Sequence, residues 1–435
     1  MQFNHMQSNR AQFDKQEERA NCGINEAVSA DFAPTIDTAI IGAGPYGLSV
    51  ATHLSALKVP HRIFGKPMAL WLDHMPRGML LKSDGFASNL SYPDGRCTLG
   101  DYCREVAELY ADTGIPVRLE TFCRYGLAFQ QRFVPYLETT LVKWVSKDSA
   151  GYRLSLENGQ SVVARRVVVA VGVEPFAHVP AALADLPPQY LSHSGKVVDV
   201  TAFKGSDLVV IGSGASAIDI AALAHEAGVR TTLVSRRSAL PMHSGRAVRR
   251  LLESRLPRPS TGIGPSWKSW FFVQFATLFH YLPVATRHRW VRQHLGPAGA
   301  AFMRDRIARV PQCPGYAPAH ARIASGRVQL TLKPLAGGED RVVEADHVVA
   351  ATGFVPSIDR LAFLDPTVRA ALKTEHETPV LTQHFESNSQ GLYFVGPIAA
   401  NSFGPLMRFA FGANYVAKRI SRRLAIEMSR GVSGL

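Results

Sequence analysis

Residues 40–49 read IIGAGPYGLS, and residues 210–219 read VIGSGASAID. Each run is an apolar strand that ends in glycine, turns, and opens a second apolar series at helical spacing. In the first copy Leu48, Ala51 and Leu54 carry that series until Val59-Pro60 stops it, because the residue before a proline is pushed out of the helical region. His61–Phe64 then reads as the next strand. In the second copy Leu208–Ile211 is the strand, Ala217–Ala227 the helix, Gly228 its C-terminal cap and Arg230–Val234 the following strand. The register is shared: the separation from Gly42 to Gly65 equals that from Gly212 to Ser235. A chance cluster of glycines would not repeat it.

Strand, glycine turn, helix and strand is the pattern of a dinucleotide-binding unit. The first glycine permits the tight bend, the second lets the backbone approach a pyrophosphate, and the third lets helix and strand pack closely. The helix N-terminus then offers unsatisfied N–H groups and positive dipole to the phosphates. Gly42, Gly44 and Gly47 fit this pattern, and Gly212, Gly214 and Ala217 fit its variant with alanine third, Ser216 lying in the same turn. The fold class is therefore α/β, with two Rossmann-like domains. After the second copy comes Ser235-Arg236-Arg237, a hydroxyl and two guanidinium groups suited to a 2′-phosphate, which argues for NADPH over NADH. The first copy has Gly65 where an acidic ribose ligand would stand.

The chain has 435 residues, 46% hydrophobic and 19% charged, enough apolar material for two or three domains. A formal charge of +13 implies attraction to anions, yet no zinc-finger spacing, RNA-binding aromatic signature or block of Lys and Arg points to nucleic acid. The five cysteines (Cys22, Cys97, Cys103, Cys123 and Cys313) form no C-x-x-C pair, which speaks against a redox dithiol. Residues 1–35 read as a polar leader. The most apolar stretch, Trp270–Val284, is too short to span a bilayer and contains Gln274, His280 and Pro283, so a cytoplasmic location is expected.

The expected organisation is a first domain over residues 36–198, a second over 199–335 and a return to the first over 336–435. Short strands are expected at Tyr152–Leu156, Ser161–Val163 and Val167–Val171. "RRVVVAVGVEP" and "DHVVAATGFVP" are parallel phrases that end strands at Gly172 and Gly353. A mostly helical insertion occupies about 249–308. Its aromatics (Trp267, Trp270, Phe271, Phe272, Phe275, Phe279) suit the core of a helical subdomain, the roof of a substrate pocket or a membrane-facing surface. An amphipathic helix is expected from Leu406 to about Met428. Its N-terminus near Pro405, with Asn401 and Ser402 before it, would suit the anionic edge of a bound cofactor.

These features resemble the two-dinucleotide flavoproteins, above all the class B flavin monooxygenases, which include the flavin-containing monooxygenases, the lysine and ornithine N-hydroxylases and the Baeyer–Villiger enzymes. The resemblance covers Thr38 onward and rests on both glycine turns, on "ATG" at Ala351–Gly353 and on "ALW" before "HMPRGMLLKS". It implies FAD on the first turn, with Pro45 and Tyr46, and NADPH on the second. It also implies Thr352 and Gly353 at the hinge between nucleotide domains, and Trp71, His74 and Met79 lining the flavin. The fingerprint F-x-G-x-x-x-H-x-x-x-F/Y is not present: "PQYLSHSGKVVDV" retains only His193. Asn89 is the candidate catalytic donor on the C4a side of the flavin.

The chemistry so implied passes a hydride from NADPH to flavin N5, forms a C4a-(hydro)peroxide with O2 and transfers one oxygen atom to a small nucleophilic, amine-bearing substrate. The expected partners are that substrate and O2, with no nucleic acid and no membrane span, and a homo-oligomer is left open. Two rivals stand beside this reading: a flavoprotein reductase serving an external acceptor, and a non-enzymatic dinucleotide-binding redox sensor.

Overall fold

The computed structural model describes residues 35–243 and 259–432. The expected leader up to Pro34, Cys22 and residues 249–258 of the expected insertion lie outside the described residues. The first strand–helix–strand unit is β1 (Thr35–Ile41), α1 (Pro45–Ala56) and β2 (His61–Phe64). After α2 (Leu119–Phe133) come β3 (Val142–Asp148), β4 (Gly151–Leu156), β5 (Ser161–Val169) and β6 (Leu191–His193). The second unit is β7 (Asp207–Ile211), α3 (Ala215–Glu226) and β8 (Arg230–Ser235). Three helices follow: α4 (Trp267–Gln274), α5 (Ala276–His280) and α6 (Val284–Gln293). Then come β9 (Gln312–Pro314), β10 (Tyr316–Ala324), β11 (Arg327–Pro334), β12 (Arg341–Ala345), β13 (His347–Ala350), β14 (Leu392–Phe394) and α7 (Gly412–Val432).

The first sheet runs β2-β1-β5-β4-β3, with β14 added in parallel along the Val167–Val169 half of β5. β1, β2, β5 and β14 are mutually parallel, and Ala39–Ile41, Ile63–Phe64, Val167–Val169 and Leu392–Phe394 are buried on both faces, which is why these stretches read as apolar runs. The strands expected separately at Ser161–Val163 and Val167–Val171 are one strand. Its arginines do not break it, because Arg166 lies against Asp37 at 2.7 Å and Glu427 at 3.1 Å, linking β1, β5 and α7.

The second sheet, β6-β13-β7-β8-β9, is parallel throughout. Leu208 and Val210 of β7 face α3, whereas Val209 and Ile211 face the antiparallel sheet β10-β11-β12. The alternation follows from the two-residue period of a strand. β6 and β13 both belong to this sheet, so the sheet runs from Leu191 to Ala350, past both ends of the segment 199–335 expected as the second domain. The pairing of β13 with β7 decides this.

The helix expected from Leu406 starts instead at Gly412; Pro405–Arg408 is a single tight 3-10 turn. Gly404 has φ +85°, and the Met407 and Phe409 carbonyls accept the Tyr46 hydroxyl at 3.0 and 2.8 Å, which takes them out of a helical ladder. No described helix is long and apolar enough to cross a membrane.

Candidate functional site

The two glycine turns are built alike. Gly42 and Gly212 both have positive φ, +108° and +152°. Gly42 N donates to Phe64 O at 2.8 Å, and Gly212 N to Val234 O at 2.9 Å. Gly44 caps α1 at φ −84°, ψ −170°, and Gly214 caps α3 at φ −89°, ψ −176°. A Cβ on Gly42 would overlap the Ala170 carbonyl, and one on Gly212 the Ala351 carbonyl. The two parallel phrases are thus one wall used twice, with Ala170–Gly172 behind the first turn and Ala351–Gly353 behind the second.

The turns differ in what faces them. A Cβ on Gly44 would meet nothing within 4 Å, so the mouth of the first turn is open. Beside it, Met68 N donates to Ala43 O at 3.0 Å and docks the one-turn helix Ala69–Asp73 that carries Trp71. The Trp71 indole nitrogen is buried without an acceptor, and the ring packs edge-on against Phe122. An open phosphate cradle and an orphaned buried donor are what a bound dinucleotide would complete.

At the second turn a Cβ on Gly214 would lie 3.0 Å from Pro297. Pro297 belongs to a strap, residues 295–300, that lies against the start of α3. Its backbone is tied to the far side of the unit: Gly299 N donates to Pro241 O at 2.8 Å, and His243 N to Gly299 O at 2.9 Å. Two cations hold it from the first domain's elements. Lys82 Nζ donates to Ala298 O at 2.8 Å, and Arg408 donates to Leu295 O and, at 2.9 Å, to Val291 O.

Lys82 is open to water, yet the protein packed around its ammonium pushes its pKa down to about 8, with Asp219 opposing and Arg408 adding to the shift. Asp219, on α3, is pushed up to about 7 by burial, against the pull of Arg306 and Lys82. It has no hydrogen bond or ion pair among the described residues. Sequence reasoning missed this strap and its ties. The only signal was the small-residue run Gly296-Pro297-Ala298-Gly299-Ala300, whose lack of bulk permits close approach to α3.

The remaining expected residues divide clearly. Arg236 and Arg237 are exposed beyond β8 and make no ion pair among the described residues. Ser235 is buried and its hydroxyl closes its own turn, accepting from Arg237 N and donating to Arg237 O at 3.1 Å. Ser216 lies in the first turn of α3 and Pro45 in that of α1. Tyr46 lies in the same first turn, and its hydroxyl ties α1 to the Met407–Phe409 segment. His74 Nδ1 binds Gly195 O at 2.6 Å, and Met79 packs partly buried against the first core. Thr352 Oγ1 donates to His178 O, and Gly353 O accepts from His178 N and from His193 Nε2, both at 3.0 Å.

Asn89 pins its own loop: Oδ1 accepts from Leu99 N at 2.8 Å and Nδ2 donates to Phe86 O at 3.0 Å. Asn401 and Ser402 sit inside the one-turn helix Ala400–Phe403 rather than before a long helix. Asn401 donates to Thr378 Oγ1 at 2.9 Å and Ser402 is buried, so the expected helix N-terminus is not built there.

Comparison with known proteins places this geometry. Residues 36–259 match the pyridine nucleotide-disulphide oxidoreductase family, and the chain belongs to it. A curated relative, the FAD-dependent urate hydroxylase of Xanthomonas campestris pv. campestris, is 32% identical over 114 residues. That match spans 25% of this chain and 24% of the relative, so the chain aligns with about a quarter of that protein's length. In fold the chain matches the Kutzneria sp. 744 ornithine N-hydroxylase solved with reduced FAD, NADP+ and L-ornithine: TM-score 0.74, 14% identity, covering 91% of this chain and 100% of that one. It also matches the bacillithiol disulfide reductase of Staphylococcus aureus at TM-score 0.61 and 16% identity, over 91% and 99% of the two chains. The family is named for disulphide chemistry, yet Cys97, Cys103, Cys123 and Cys313 are all free.

Proposed function

We propose that this chain is an FAD- and NADPH-dependent monooxygenase that transfers one oxygen atom of O2 to a small nucleophilic substrate, an amine-bearing one being the instance expected from the sequence. Two electrons and a proton from NADPH, with one further proton, reduce the second oxygen atom to water. The observation that carries this reading is the pair of congruent turns with unlike mouths. One is open beside an unpartnered indole donor; the other is flanked by Arg236 and Arg237 with no carboxylate at the ribose position.

When bound, FAD supplies the redox and oxygen-activating chemistry, and the protein's part is placement. Gly42, Gly44, Gly47 and the start of α1 would hold its pyrophosphate, and Trp71 would donate to it. Gly212, Gly214, Ala217 and the start of α3 would hold NADPH, with both arginines at its 2′-phosphate. The strap would shield that nucleotide from water. The sequence holds no C-x-x-C pair to take electrons onward, which favours oxygen over a disulfide as acceptor.

The test is consumption of isotopically labelled O2 by the purified flavin-loaded protein with NADPH and a panel of amines and other electron-rich small molecules. Incorporation of one labelled atom into product, coupled to NADPH oxidation, is expected. NADPH oxidation that proceeds only with a quinone or disulfide present would establish the reductase instead. A chain that binds both nucleotides and oxidises neither would be the sensor.

A further inference from the structure

The aromatic helices α4–α6 have no part in the redox chemistry proposed above. They do form a small core, with Phe272 and Phe279 buried and Trp290 edge-on to Phe272 at 5.6 Å. Between α4 and α6, however, a cavity of about 520 Å³ remains open to one side. Trp267, Phe271 and Trp290 form its apolar walls, and Lys268 and Arg289 stand in its lining with Gln293. Trp267 is 55% exposed, a large apolar surface left to water. The volume falls in the range of small-molecule sites, and flat walls with a few polar groups are their usual construction.

The charge is one-sided. From Pro259 to Arg304 the chain contains no Asp or Glu. Neither Lys268 nor Arg289 has an ion-pair partner among the described residues. His294, also in the lining, stays neutral: burial, with Lys268 and Arg408 adding, pushes its pKa down to about 4, and its Nε2 faces Ser269 Oγ at 3.1 Å. A guanidinium, an ammonium and two indoles without a counter-charge favour a flat π-system bearing negative charge. The rings stack on it and the cations neutralise it. The same cations repel an ammonium.

We propose that this cavity is a binding site for a planar aromatic or heteroaromatic anion, held between Trp267 and Trp290 and neutralised by Lys268 and Arg289. Binding is read without NADPH or O2, so this inference stands or falls separately from the redox reading.

The experiment is calorimetric titration of the flavin-loaded full chain with naphthoate, its neutral isostere naphthamide, and naphthylmethylammonium. Naphthoate should bind saturably and at least about tenfold more tightly than naphthamide, as one charge-assisted contact provides. The ammonium should give no saturable heat. Arg289→Gln and Lys268→Gln, both at exposed side chains, should each weaken naphthoate about tenfold and leave naphthamide unchanged, whereas Trp267→Ala should weaken both alike. Flavin content and unfolding temperature equal to those of the unaltered chain separate lost binding from misfolding. Equal affinity for the three probes, no saturable binding of naphthoate, or full affinity in both glutamine variants would overturn the assignment.

Discussion

The two glycine turns share one backbone design, closest at the Gly44 and Gly214 caps, but differ in tolerance. At the first, the third glycine has no room to be anything else, because a Cβ on Gly47 would overlap the Gly42 carbonyl. At the second, Ala217 occupies that place, with its Cβ 3.0 Å from where a Cβ of Gly212 would stand. The first turn is tight within and open outside at Gly44; the second is looser within and roofed outside by Pro297. Under the proposed assignment, one pattern would serve a ligand that stays and a ligand that must come and go. That difference lies in the surroundings of the turns, not in their glycines.

The largest effect should come from exchanging the third positions. Gly47→Ala forces the Gly42 carbonyl to move and should abolish flavin retention, read as absorbance per mole of purified protein. The mirror change, Ala217→Gly, should cost only about 1 kcal/mol of stability, as glycine does within a helix, and leave flavin content intact. Equal damage from both would erase the contrast. Gly44→Val sharpens it: its side chain enters open space, so the apoprotein should fold normally yet emerge colourless. A yellow Gly44→Val protein would refute the placement of FAD.

Next in size is the lip of the second turn. Replacing Arg236 and Arg237 together with Ala should raise KM for NADPH by the equivalent of about 2–4 kcal/mol and barely change KM for NADH, as expected for charge-assisted contacts to a phosphate. Equal losses with both nucleotides would make these arginines structural.

The roof comes third. Lys82→Met removes one tie on the strap, worth about 1 kcal/mol, and should speed flavin reduction at low NADPH roughly fivefold with flavin content unchanged. A slower reaction would show that the strap aids capture of the nucleotide instead of delaying it.

The last effect is set by pH. The folded chain raises the pKa of Asp219 to about 7, so the fold favours its neutral form and bears a cost when the group ionises. That cost is full above pH 7 and fades as pH falls towards the unfolded value near 4. Asp219→Asn should therefore raise the unfolding temperature at pH 8, less at pH 5.5, and hardly at all at pH 4. A gain independent of pH would mean the carboxylate is not the source of the cost.

Much of the fold was legible because it is periodic. Both strand–turn–helix–strand units, their register and the parallel phrases behind them follow from residues close in sequence. What was not legible depends on distant partners. Nothing in "VGPIAANSFGPLMRF" shows that Tyr46, some 360 positions earlier, takes the Met407 and Phe409 carbonyls and delays α7 to Gly412. The same holds for Asn89, whose amide is absorbed by Phe86 and Leu99, and for Ser235, whose hydroxyl closes its own turn. A polar residue in a plausible place is a donor on paper; whether it is free depends on neighbours that the pattern does not name. Missing altogether was β10-β11-β12, although the alternation in "RVQLTLKP" was available to reveal it.

The order of strands also governs how the protein is made. Every strand of the second parallel sheet lies between Leu191 and Ala350, in the chain's middle portion, whereas the first sheet waits for Leu392–Phe394 to cover the edge at Val167–Val169. During synthesis, domains fold as units while the chain emerges at about 5–20 residues per second. The middle of this protein can thus be finished before its beginning. Until α7 arrives, with Asn414 accepting from Ser91 and Glu427 meeting Arg166, the earliest-made strands sit beside an uncovered apolar edge. Removing the last forty or so residues would therefore damage the half of the protein that was translated first.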